Sequence, residues 1–151
     1  MLSLSPFPGA TIKSEGRRDL FIKTQVADLA EVLGERFGQT VQLDEQLRFV
    51  VIPRFKLPRR WGMKSTPILI WFPAQYPDVP PHGFYLSANC LGPHVFKANP
   101  YGDSPDLSAQ GWNWYCVNAS KGWVAQADPL QPDNLWTFLD VVRTTLSIDE
   151  F

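Results

Sequence analysis

Sulfur and imidazole are scarce in this chain. Cys90 and Cys116 are its cysteines and His82 and His94 its histidines, in 151 residues. Two cysteines make no disulfide framework, so a reducing cytoplasm is the expected home, with any thiol left free to react. Cys90 and His94 lie close in sequence, but two ligands do not make a zinc site unless Asp103 or Asp106 joins them. Packing is the simpler use of Cys90, and no metal or cofactor is expected. Charge of one sign is not in excess either. The formal net charge is −1, so no global basic field draws the chain to nucleic acid. No apolar run approaches the roughly 20 residues of a membrane span. Residues 1–10 have neither the basic start nor the long apolar core of a secretory signal. Internal repeats and low-complexity tracts are missing as well.

What is present suits one domain. The length allows a sizeable core, and 44% hydrophobic with 19% charged residues is the balance of a soluble globular protein. Residues 1–16 carry Pro6, Pro8, Gly9 and Gly16 without periodicity and are expected to form a flexible or extended arm, leaving 17–151 as a single domain. Ile22, Val26, Leu29, Leu33 and Phe37 recur at helical spacing, and Gly38 is a natural stop. Short strands are expected at 40–43, 47–52, 68–72 and 83–87, with Pro53 marking an edge or a bulge. Residues 57–66 read as a basic loop and 89–110 as a long irregular one, a length usually reserved for function or disorder. Leu135, Phe138, Leu139, Val142 and Leu146 form a second apolar stripe, with Asp133 as its N-cap. Consecutive strands on short turns imply an antiparallel meander, and the class is α+β with helices on one sheet face.

The segment 72–81 is unusually stiff. Pro73, Pro77, Pro80 and Pro81 fix φ and withhold backbone donors. Such a turn holds one shape and loses little entropy on binding, which suits a platform beside a reactive group. Cys116 sits in an aromatic stretch between Trp112, Trp114 and Trp123. A cysteine thiolate accepts an acyl group and passes it on; equally, a free cysteine between tryptophans suits a buried position. Asn99, Asn113 and Asn118 offer amide donors for an oxyanion or serve as turn formers. Asp128 is a carboxylate that could orient an incoming amine. Arg17, Arg18, Arg54, Lys56, Arg59, Arg60 and Lys64 are locally dense. They fit a solvated face or docking to an acidic protein partner.

The order of these features resembles the ubiquitin-conjugating enzyme family. Phe72-Pro73 and Tyr76-Pro77-Asp78-Val79-Pro80-Pro81 match the family's proline platform without a gap, and Phe84 falls on the aromatic of its next strand. Cys116 followed by Trp123 fits the cysteine-to-tryptophan spacing within one residue. The resemblance covers about 20–146 and implies an N-terminal helix, a four-stranded antiparallel meander, an active-site loop and a C-terminal helix. The last two helices of the eukaryotic enzymes are lacking, as in the bacterial ubiquitin-conjugating-like branch. It implies that Cys116 accepts a ubiquitin-like modifier as a thioester from an activating enzyme and transfers it to a target lysine. Bacterial gene sets of this kind add a JAB-type deconjugating peptidase, and several serve antiphage defence. Arg17, Arg18, Arg59 and Arg60 would then face the activating enzyme. Tyr76, Pro77, Pro80, Pro81 and Trp123 would meet targets or a ligase. The family's His-Pro-Asn is missing. Asn99, before Pro100, or Asn113, which stands at the family's glycine, takes the place of its oxyanion asparagine. Two rivals stay open: an inactive binding or scaffold protein of the same fold, and a small cysteine hydrolase using His94.

Overall fold

The computed structural model describes residues 10–90, 104–117, 122–124 and 133–147, with 10–15 as backbone only. Helix α1 (Ala10–Phe37) leads into strands β1 (Gln42–Leu43), β2 (Phe49–Lys56), β3 (Ser65–Trp71), β4 (Gly83–Ser87) and β5 (Trp112–Cys116). Helix α2 (Leu135–Ser147) follows them. The five strands form one antiparallel sheet in the order β1-β2-β3-β4-β5. No helix among the described residues is long and apolar enough to cross a membrane.

Period decides which face each element buries. In α1, Ile22, Val26, Leu29 and Leu33 are buried against the sheet, and every position of the α2 stripe is buried beside them. Trp136 of α2 donates its indole N–H to Asp28 of α1 at 2.7 Å. The sheet alternates. Ile68, Ile70, Phe84, Leu86 and Tyr115 join the helices in the main core. Leu69, Tyr85 and Trp114 face the other way and pack on Leu107 from the turn before β5. A strand apolar on both faces explains the unbroken apolar run at 68–72 and its central place in the sheet. Each fully buried Leu or Phe side chain contributes about 1.5–3 kcal/mol.

The structure corrects four expectations. There are five strands rather than four, because the aromatic stretch 112–116, outside the four expected strands, pairs with β4 from Gly83↔Cys116 to Ser87↔Trp112. Its tryptophans and tyrosine are strand-favouring residues. Residues 10–16, expected within a flexible or extended arm over 1–16, are helical. The breakers Pro8 and Gly9 precede them, and nothing between Ala10 and Glu15 stops a helix. Residues 1–9 lie outside the described residues. The α2 cap is Asn134, not Asp133. The Asn134 side-chain oxygen accepts from the backbone of Trp136 at 2.8 Å and Thr137 at 3.2 Å, while the Thr137 hydroxyl oxygen accepts from Asn134 N–H at 2.9 Å. Finally, β3 starts inside the expected basic loop, at Ser65. Pro53 does mark an irregularity, since the β2–β3 register shifts between Ile52 and Phe55.

Candidate functional site

Two elements position Cys116. It is the last residue of the outermost strand, and its register partner is Gly83, which opens β4 directly after Pro80, Pro81 and His82. Val117 N–H donates to the His82 carbonyl at 3.2 Å and continues the pairing one step past the thiol. Cys116 is exposed, and its sulfur lies 3.9 Å from the Val117 carbonyl oxygen. Gly83 lets the strands close at this point. A Cβ there would overlap the Tyr115 carbonyl and come within 2.7 Å of the Trp114 ring.

The proline turn beside this strand end is braced from inside. Tyr76 is 1% exposed, its ring lies 4.9 Å from that of Phe72, and its hydroxyl donates to the buried Gln25 side-chain oxygen. Backbone bonds from Tyr76 N–H to Pro73, and from Asp78 and Val79 N–H to Gln75, close the turn. Arg18 donates to the carbonyls of Phe72 at 3.2 Å and Pro73 at 3.3 Å. Burial lowers the Arg18 pKa, and Asp19 opposes the shift. Arg17 pairs with Asp78 at 3.0 Å on the surface. The chain beyond the thiol is tied to the same turn, because Trp123 donates its indole N–H to the Pro77 carbonyl at 2.8 Å. Asp133 accepts from Val124 N–H at 2.6 Å, which anchors that segment to the start of α2.

Several expected roles change with this geometry. Tyr76, Pro77, Pro80 and Pro81, expected to contact a partner, are all buried. The turn exposes Ala74, Gln75 and Asp78 instead, since its apolar rings supply core contacts. Asn113 shares its face of β5 with Tyr115 and Val117, opposite to Cys116 and three residues away. At about 3.3 Å per residue that is about 10 Å, so Asn113 is not the oxyanion donor. Arg17 and Arg18 join the thiol end, whereas Arg59 and Arg60 lie beyond the start of β3. The two pairs are separated by the length of that strand, about 20 Å, so they do not form one face. Arg60 and Trp61 instead donate to the Leu146 carbonyl at the end of α2, at 3.2 and 3.0 Å. Asn99, Asn118, Asp128 and His94 lie outside the described residues.

Sequence reasoning missed Gln25, Gly83 and His82. A polar residue on an apolar stripe was the available signal for Gln25, and a glycine opening a strand was the signal for Gly83. Nothing local marked His82 as the histidine next to the thiol strand. Cys90 is buried; burial raises its pKa and a hydrogen bond with Thr66 opposes the rise. Among the described residues no three histidine, cysteine or acidic side chains converge to hold a metal. Comparison with protein-family models, curated proteins and solved structures finds no match for this chain.

Proposed function

We propose that the chain carries a ubiquitin-like modifier as a thioester on Cys116. The observation that carries this reading is an exposed thiol at the end of an outer strand, next to a braced proline turn. The thiolate attacks the thioester carbonyl that joins the modifier to its activating enzyme, and that enzyme's thiolate leaves. A target lysine amine then attacks the new thioester, an isopeptide bond forms, the Cys116 thiolate departs and the amine loses a proton to solvent. An acyl carrier needs no strong base of its own. Holding donor and amine together supplies the acceleration, with effective molarities of about 10⁵ M or more in well-oriented systems. Arg17, Ala74, Gln75 and Asp78 are the surface that a partner meets at this end. In the bacterial pathways whose conjugating enzymes the sequence resembles, an activating enzyme supplies the modifier and a JAB-type peptidase removes it, and several such pathways serve antiphage defence.

The position of Asn113 favours a second reading, a binding or scaffold protein without transfer activity. One experiment separates the two. The protein is mixed with its activating enzyme, modifier and ATP and run on a non-reducing gel. The carrier reading expects a reducible adduct that Cys116→Ser converts to a stable ester and Cys90→Ser leaves unchanged. Modifier that co-purifies with the wild type, with no adduct in any variant, establishes the scaffold.

A further inference from the structure

At the end of the sheet away from the thiol, α1 outruns the strands and leaves Phe37 62% exposed. Between this residue and the turn joining β2 to β3 lies an open groove of about 790 Å³. Arg54, Lys56, Arg59 and Lys64 line it, with Phe37 and Met63 as its apolar surface; no acidic residue does so among the described residues. A smaller cavity of about 260 Å³ continues it and shares Phe37, Arg54 and Lys56. The described residues make no ion pair with any of the four cations. Among the described residues no carboxylate offsets their mutual repulsion. The net charge of the whole chain is −1, so the groove is a local positive site on a molecule that is not basic, which suits a short ligand better than a nucleic-acid strand. Exposed phenylalanine and methionine within a cationic rim call for a ligand that is acidic and apolar together, and methionine adapts to varied apolar shapes.

We propose that this groove docks an acidic peptide segment of a partner protein. Its carboxylates meet Arg54, Lys56, Arg59 and Lys64, and one large apolar side chain covers Phe37 and Met63. The site is separate from Cys116 and stands whether or not that thiol carries a modifier.

The test uses the full chain and a fluorescein-labelled peptide of glutamates around one central phenylalanine, with binding read by fluorescence anisotropy. The wild type binds this probe. The doubly reversed Lys56→Glu, Lys64→Glu variant weakens it about tenfold or more, and Phe37→Ala weakens it about tenfold. Cys116→Ser binds as the wild type does, so a failed thioester assay leaves this result intact. Thermal midpoints are recorded alongside. Arg59→Glu, on an exposed turn, replaces the double variant should that fail to fold. Equal binding of the probe to wild type and charge-reversed protein overturns the proposal. So does equal binding of an all-glutamate peptide without phenylalanine, or tighter binding of a single-stranded oligothymidine.

Discussion

Burial acts on Cys90 and raises its pKa, while Cys116, on the outer strand, meets solvent. Two residues of one type thus meet opposite surroundings through position alone. Gly83 is what holds Cys116 where it is, since only a missing side chain allows the backbone of Tyr115 and the ring of Trp114 to approach so closely. Gly83→Ala is expected to cost about 1–3 kcal/mol through overpacking. A lowered urea midpoint with an unchanged slope checks it; an unaltered midpoint would show that β5 adjusts freely. In the sequence the cysteine was visible as a nucleophile, but its exposure was not. Alternation along β5 depends on pairing with β4, and a slip of one residue would have turned the sulfur toward Phe84 and the helices.

Gln25 joins three elements. From α1 its side-chain oxygen accepts both the Tyr76 hydroxyl of the proline turn and the Leu135 N–H that opens α2. Gln25→Leu leaves two buried donors unsatisfied and is expected to cost roughly 2–6 kcal/mol. Tyr76→Phe removes one hydrogen bond with its donor and costs about 1 kcal/mol. Urea unfolding of both variants gives the ranking; a Tyr76→Phe loss equal to that of Gln25→Leu would refute the shared-acceptor account. Helices were the most legible elements, because a 3.6-residue period is local and both stripes lie on the core except at Phe37. There α1 simply runs past the sheet that would have covered it. Strand β5 was not legible. Its partner β4 lies on the far side of 88–111, and no short-range pattern announces that pairing.

At the scale of the molecule, three buried acids respond together to alkali. Burial pushes Tyr115 up to about 12, with Cys90 adding to the rise, and it raises Tyr76 and Cys90 as well. The unfolded chain ionises its thiols near 8.5 and its tyrosines near 10. Above those values the unfolded state releases protons that the folded state keeps. The stability these groups contribute is therefore fully present below about pH 8 and falls as pH rises to about 12. Urea midpoints across that range are expected to decline, and a flat profile would contradict the burial of these groups. The same scale separates two surfaces. The thiol, the proline turn and Arg17 occupy one end of the sheet, and the cationic groove with Phe37 and Met63 occupies the other. The dense run of basic residues in the sequence does not map to one face, because α1 and the β2–β3 turn present it at different ends.

Composition and periodicity settled the α+β class, two helical stripes, a stiff proline turn and the scarcity of groups able to bind metal or act as a base. Each of these is a local property, carried by spacing or by the covalent limits of proline. Tertiary structure decided which cysteine meets solvent, that the rings of the proline turn point inward, that Asn113 faces away from the thiol and that the arginines divide between two ends. All four depend on strand register and helix length relative to the sheet, which are contacts between residues far apart in the chain.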